Sequence, residues 1–425
     1  MVIDITISEK FPCFYKSLRA HTGPVTCIAI PNNKQQSKHS NEKSRAKSFN
    51  IFATGSADNS IIVWTLHPHL SAKRLLGHQS CINSLEWHPS GQYLTSASSD
   101  GVVRIWNTNG WSCNVLYAHE GHKAEDISWS SDGKYLLTCG SDYLTKVWKF
   151  LPSDSKHSKQ EIHYVSSLSG HTSSVNSCQF SSDNRLIATC SEDFTMKLFV
   201  VPQNDFQRAK CFHTFFDHLC PIKCVEFNAR GSRIASCDVN GTIRVFDTRT
   251  LQIISFFQIS ESAVNCIRWA SERYLLCANE DGTVRIIDLL NDCLLYTIKG
   301  HKTFSPVLSV AISSDGQFFV SVGADKRTIL WKMNASPEER KMIENAQLLD
   351  EQSSTQFKLQ HIRKSKSKVT PTGSKNQLYE RLSSSKFKKD KEKQKETDKH
   401  VQDASFTDDE QECFTQDFKV SPINR

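Results

Sequence analysis

Residues 77–107 read GHQSCINSLEWHPSGQYLTSASSDGVVRIWN, and this stretch decides the fold. An apolar run with period-2 character, Ile82 to Trp87, is followed by a Ser90-Gly91 turn, a second strand-like run, an Asp turn and a third run ending at Trp106. Alternation of that kind between turn dipeptides marks short strands. Within it, His78, Ser96, Asp100 and Trp106 are the polar or hydrogen-bonding residues that an apolar sheet tolerates only if they satisfy one another.

The same phase recurs along the chain. An Asp or Asn precedes an aromatic residue or Ile by six positions in seven segments: Asp58 and Trp64, Asp100 and Trp106, Asp142 and Trp148, Asp193 and Phe199, Asn240 and Phe246, Asp281 and Ile287, Asp325 and Trp331. Four residues before each turn residue stands a small one: Thr54, Ser96, Thr138, Thr189, Ser236, Cys277 and Ser321. Upstream lies a histidine, namely His21, His78, His122, His171, His218 and His301; the sixth unit has none. The expectation is a buried relay in which the indole N–H donates to the hydroxyl, the hydroxyl reaches the imidazole, and the imidazole donates to the carboxylate. Units five and six, which depart from the pattern, are expected to be the least rigid.

Each unit also carries a first apolar run: Val25 to Ile30, Ile82 to Trp87, Ala124 to Trp129, Val175 to Phe180, Ile222 to Phe227, Val264 to Trp269 and Val307 to Ile312. Four antiparallel strands in about 40 residues is one blade of a β-propeller. The seventh unit ends at Trp331-Lys332 one strand short, and Cys13 to Leu18 is expected to supply it, so that both termini share a blade and no edge stays open. The fold class is therefore all-β, a seven-bladed propeller over residues 1–333, with a basic loop insertion at about 32–48.

Phe14 to Lys332 resembles the WD40 family, through the Gly77-His78, Gly170-His171 and Gly300-His301 pairs and the Trp-plus-Asp phase. In that family partners bind the face made by the loops leading into the innermost strands. The resemblance places on that face Thr26, Asn83, Glu125, Asn176, Lys223, Asn265 and Leu308, with Ala57, Ser99, Ser141, Glu192, Val239, Glu280 and Ala324. The rim is polar and mildly acidic, which suits a basic or hydrogen-bonding peptide.

The stretches Phe246–Thr250 (FDTRT), Ser262–Asn265 (SAVN), Ile286–Leu290 (IIDLL) and Leu294–His301 (LLYTIKGH) look like the last blades of the proteome-of-centriole propeller family. That resemblance implies microtubule-associated or centriolar partners, a part in building or stabilising centrioles and basal bodies and in cilium formation, and a cytoplasmic, cytoskeletal location. Two other classes stand beside it. Phe246-Asp247-Thr248-Arg249 resembles the adaptor box of cullin-RING ligase substrate receptors, and the Lys-rich tail would suit a scaffold in RNA processing.

Residues 334–425 change character. Lys358 to Lys395 holds 13 Lys or Arg against 3 acids, and Glu396 to Asp417 holds 8 acids against 1 Lys. Such a segment buries too little apolar surface to offset its ordering entropy, so a largely disordered tail is expected, with a short helix near 336–349. Its heptads are too few for a coiled coil. Ser336, Thr370, Ser405, Thr407 and Ser421 are candidate phosphorylation sites beside charged stretches.

No P-loop, nucleophile-elbow or zinc-protease motif occurs, and the repeated histidines have a periodic structural duty, so no catalytic residue, cofactor or metal is expected. Cys211, His213, His218, Cys220 and Cys224 crowd together without metal-ligand spacing. Cys27, Cys224 and Cys266 share one strand position and Cys139, Cys190 and Cys237 another, which suits small buried slots. Met1 to Phe14 lacks a signal-peptide core and no long apolar run exists, so a soluble intracellular protein with reduced thiols is expected, with neither a membrane nor a nucleic acid as partner.

Overall fold

The computed structural model describes residues 13–31, 50–66, 69–152, 161–202 and 205–333. The expected loop insertion at 32–48, the tail, its helix, its charged blocks and its five phosphorylation candidates lie outside the described residues.

Strand β1 (Cys13–Leu18) is followed by blade one: β2 (Val25–Ala29), β3 (Ile51–Ser56), β4 (Ile61–Thr65) and β5 (Ser71–Leu75). Blade two is β6 to β9 (Ile82–Trp87, Tyr93–Ser98, Val102–Asn107, Cys113–Tyr117), and blade three is β10 to β13 (Ala124–Trp129, Tyr135–Gly140, Thr145–Leu151, Glu161–Leu168). Blade four is β14 to β17 (Val175–Phe180, Leu186–Ser191, Met196–Val200, Lys210–Phe215), and blade five is β18 to β21 (Ile222–Phe227, Arg233–Asp238, Thr242–Asp247, Ile253–Gln258). Blade six is β22 to β25 (Val264–Trp269, Tyr274–Asn279, Thr283–Asp288, Cys293–Lys299), and blade seven begins with β26 to β28 (Val307–Ile312, Phe318–Gly323, Thr328–Lys332). Seven four-stranded antiparallel sheets result, and the seventh has the order β1-β28-β27-β26. The N-terminal strand thus closes the ring as expected.

The closure is a packed joint as well as a ladder. Phe14 meets Trp331 edge to face with ring centroids 5.8 Å apart, and buried Leu18 sits in one core cluster with Val25, Phe52, Trp64, Val320 and Leu330. Blade one and blade seven therefore share their apolar filling.

All seven innermost strands carry the same irregularity. Pairing with the second strand slips between the first and third residues: Val25/Cys27, Ile82/Ser84, Ala124/Asp126, Val175/Ser177, Ile222/Cys224, Val264/Cys266 and Val307/Ser309. A bulge leaves one residue unpaired and re-aims its side chain. Here that residue is Thr26, Asn83, Glu125, Asn176, Lys223, Asn265 or Leu308, the very set expected on the loop face. The turns between second and third strands need a left-handed residue, supplied by Asn59, Gly101, Tyr143, Phe194, Gly241, Gly282 and Lys326. Tyr143 and Phe194 adopt φ of 67° and 69° without glycine's freedom, at a steric cost. The six repeated cysteines are buried, as expected.

Closure through β1 predicts that Leu18→Ala, which empties a slot in the shared cluster, costs about 2–4 kcal/mol. Thermal unfolding of the variant measures it; an unchanged Tm would mean that the N-terminal strand does not carry the joint.

Candidate protein-binding face

In blade one Trp64 Nε1 donates to Thr54 Oγ1 at 2.9 Å, Thr54 lies 2.9 Å from His21 Nε2, and His21 Nδ1 lies 3.1 Å from Asp58 Oδ2. Because the hydroxyl oxygen already accepts from the indole, its proton goes to Nε2, and Nδ1–H then points at the carboxylate. Blade two repeats this with Trp106, Ser96, His78 and Asp100 at 3.0, 2.8 and 3.0 Å, and blade seven with Trp331, Ser321, His301 and Asp325 at 2.8, 2.9 and 2.9 Å. Blade four has His171, Thr189 and Asp193, with Phe199 buried where no indole donates.

Two blades correct the expected membership. In blade three the relay histidine is His119, not His122: Nδ1 is 2.8 Å from Asp142 and Nε2 3.0 Å from Thr138, whose hydroxyl accepts from Trp148 at 3.0 Å. The loop makes an extra turn in which the His122 N–H donates to the His119 carbonyl, which leaves His122 exposed and His119 fully buried. In blade five the carboxylate comes from Asp238, not from Asn240. His218 Nδ1 lies 2.9 Å from Asp238 and Nε2 2.7 Å from Ser236, while the Asn240 N–H merely donates to Asp238. Blade five is thus tied by a relay of its own. Blade six has no imidazole; Asp281 instead accepts from Thr283 Oγ1 at 2.6 Å and from Arg285 at 2.7 Å.

Burial lowers the pKa of His21, His78, His171 and His218, a fall that their Asp partners only partly offset. The imidazoles are neutral at neutral pH, as the relay needs. For Asp58, burial works to raise the carboxyl, but hydrogen bonds from Ser60, the Thr22 N–H and His21 outweigh it and hold the group well below the usual carboxylate range.

The bulge residues of the loop face split into two groups. Asn83 donates to the Ala124 carbonyl at 2.9 Å, Asn176 to Ile222 at 2.8 Å and Asn265 to Val307 at 3.0 Å, and Thr26 donates to Ile82. Each bond crosses to the next blade, so these four side chains brace the ring. Ser99 donates to Asn83 at 3.0 Å, Ser141 accepts from the Lys123 N–H at 2.9 Å, and Glu125 and Glu280 accept from Asn83 and Asn265 at 3.2 and 2.8 Å. The side chains of Glu192, which is exposed, and half-buried Lys223 form no hydrogen bond or ion pair among the described residues. Burial pushes the Glu125 carboxyl up, Lys123 and, more weakly, Lys223 pull it back, and Glu192 adds to the rise. A cation from outside would lower the energy of this arc.

A deeper ring of braces has no counterpart in the expected set. Asp126 accepts from Ser84 of blade two at 2.7 Å and from Ser177 of blade four at 2.8 Å, tying three blades. One position from the end of each innermost strand, Glu86 accepts from the Trp129 N–H at 2.7 Å, Gln179 from Phe227, and Glu226 from Trp269 at 2.8 Å. Burial pushes Glu226 up to about 7 although Arg268 opposes the rise. The signal available was a polar residue at that strand position in five consecutive blades, Glu86, Ser128, Gln179, Glu226 and Arg268.

Seven such blades around polar, mutually braced inner strands define a closed β-propeller. The chain belongs to the WD domain, G-beta repeat family, whose repeat matches residues 12–65, 71–107, 110–149, 162–199, 209–247, 252–288 and 292–332. It is similar to a guanine nucleotide-binding protein subunit beta of Saccharomyces cerevisiae, 25% identical over 55% of this chain and 55% of the relative. It is also similar to the B-type cell cycle switch protein ccs52A of Medicago truncatula, 26% identical over 69% of this chain and 59% of the relative. With apoptotic protease-activating factor 1 of Rattus norvegicus it shares 25% identity over 63% of this chain and 20% of the relative. The chain thus spans less than two thirds of the length of each of these relatives.

Two substitutions test the geometry. His119→Ala leaves Asp142 and Thr138 without their buried partner and is expected to cost about 2–4 kcal/mol, whereas His122→Ala stays within about 0.5 kcal/mol. Denaturant titration separates them. Glu226→Gln keeps an oxygen for the Trp269 N–H, as Gln179 does one blade earlier, and removes a charge whose folded pKa lies above its ordinary value. A raised folded pKa means stability lost as pH rises through about 7. The variant should therefore be more stable than the parent by about 1–3 kcal/mol at pH 8, and this gain should vanish near pH 4. Melting curves across that range would refute it if the difference were independent of pH.

Proposed function

We propose that this protein is a non-catalytic scaffold that grips a Lys- or Arg-bearing peptide of a partner on the arc of the loop face over blades three to five. The single observation that carries this is the contrast around the rim. Thr26, Asn83, Asn176 and Asn265 are spent on blade junctions, whereas Glu192 and Lys223 keep their hydrogen-bonding capacity. Glu192 and Glu125 repel each other, so a cationic side chain there gains charge-assisted hydrogen bonds without dismantling a brace. Lys223 at the blade-five end sets the register, because it rejects a second cation there.

The partners we assign to this scaffold are microtubule-associated proteins of the centriole and basal body, with a role in cilium formation and a cytoplasmic, cytoskeletal location. The support is the likeness of FDTRT, SAVN, IIDLL and LLYTIKGH to the centriolar propeller family, together with the basic block Lys358 to Lys395, which suits the acidic surface of a microtubule.

Proximity labelling in ciliated cells with the full chain tests both statements. Centriolar and microtubule-binding neighbours are expected, with labelling of the peptide partner at least about tenfold weaker for Glu192→Lys. A neighbourhood of cullin-ligase adaptors or ribonucleoproteins would overturn the centriolar reading, and an unchanged neighbourhood for Glu192→Lys would overturn the assigned arc.

A further inference from the structure

A cation recurs on the third strand of several blades. Arg104 Nη2 donates to the Gly77 carbonyl at 2.9 Å and Lys146 Nζ to the Ala118 carbonyl at 2.7 Å; in blade one Arg74, from the fourth strand, reaches the Ala20 carbonyl at 2.6 Å. In each case the carbonyl belongs to the residue just before the relay histidine. The cation latches the incoming loop down over the relay.

Blade five has the cation, Arg244, but it does not close the latch. Its Nη1 lies 3.0 Å from His218 Nδ1 and 3.1 Å from Thr242 Oγ1, and 3.8 Å from the Asp238 carboxylate. The cause is the shift of the acid from the turn to Asp238, which draws the guanidinium inward beside the relay. Its carbon then lies 5.0 Å from the centre of the Phe256 ring, with Arg244 and Phe256 paired across β20 and β21.

A cavity of about 440 Å³ remains where blades one, two and three are latched, bounded by Leu219, Cys220, Asn240, Arg244, Phe256 and Glu261. Its borders are apolar and open: Leu219 is 82% exposed, Phe216 in the same incoming loop 75% and Phe256 54%. Apolar side chains gathered on a soluble surface mark a contact waiting to be covered, and a cavity of this size holds one bulky side chain. Glu261 is an exposed carboxylate on its border and Asp217 an exposed carboxylate in the incoming loop that carries Leu219, neither side chain with a hydrogen bond among the described residues, while Arg244 is already matched by Asp238. The unmatched charge at the opening is negative.

We infer that blade five carries a second docking site, apart from the channel mouth, which takes a short peptide of a partner protein through one large apolar side chain, Phe or Leu, flanked by Lys or Arg. The apolar side chain fills the cavity between Leu219 and Phe256, and its basic neighbours meet Asp217 and Glu261. The site does not depend on the arc of Glu125 and Glu192.

The test uses the full chain and fluorescein-labelled peptides with a central Phe, one flanked by Lys and Arg, one flanked by Glu, and one in which Ser replaces the Phe. Fluorescence anisotropy should show saturable binding of the Lys/Arg-flanked Phe peptide only. Leu219→Glu and Phe256→Ser, both at exposed positions, should each weaken it at least about tenfold. Leu76→Glu, in the latched loop of blade two and 70% exposed, should leave it unchanged, and so should Glu192→Lys. Equal binding of the Ser peptide, preference for the Glu-flanked one, absence of saturable binding, or an equal loss with Leu76→Glu would each overturn the site. A loss with Glu192→Lys alone would return the peptide to the channel mouth and leave that proposal standing.

Discussion

The ring rests on buried imidazoles that each bond a hydroxyl on one side and a carboxylate on the other. A buried histidine that must serve a hydroxyl on one side and a carboxylate on the other can do so in one tautomer only, and protonating Nε2 would remove the acceptor that orients the hydroxyl. In blades one, two, three and seven the hydroxyl in turn receives the indole N–H from the third strand, so one chain of hydrogen bonds ties the incoming loop, the second strand and the third. Each link is modest when taken singly, because folding exchanges water bonds for protein ones. Their value lies in the cost of losing one partner while the others stay buried. The loop that the relay pins is also the loop that presents the candidate binding face, and so the rigidity of the rim follows from chemistry beneath it.

Much of this was legible in the sequence because the relay is spaced by strand geometry. From His to hydroxyl the separation is 18 residues in blades two, four and five. His119 stands 19 from Thr138, close to that value, whereas His122 stands too near, a signal hidden by the Gly121-His122 pair that mimics the other blades. Asp238 was hidden differently. The turn of blade five keeps its shape with Asn240, so the six-residue spacing to Phe246 survives while the acid moves back two positions. Spacing reports where the backbone turns, and it is blind to which of two neighbouring side chains reaches inward.

The braces between blades were less legible still. A polar residue near the end of a strand reads as a solvent-facing position, yet in this ring that position reaches the backbone of the next blade's innermost strand. Glu86, Gln179 and Glu226 find N–H groups there because the innermost strands of neighbouring blades lie side by side without being hydrogen-bonded into one sheet. The bulge residues teach the same point from the other side. Re-aimed off the ladder, they were read as facing a partner, and four of them instead face the neighbouring blade.

Irregularity therefore means something different in this fold from weakness. In blades two and three, which keep every member of the pattern, the relay groups are consumed internally and the incoming loop is latched. Blade five shows the converse: a two-residue displacement of one carboxylate satisfies the histidine as well as before, but it redirects Arg244 and leaves a cavity bordered by exposed Leu219 and Phe256. The histidine keeps both its hydroxyl and its carboxylate partner, and surface is gained because the latch is open. A repeat protein can diversify in this way at little energetic cost, changing how a recurring set of groups is supplied in one unit while its neighbours hold the circle closed.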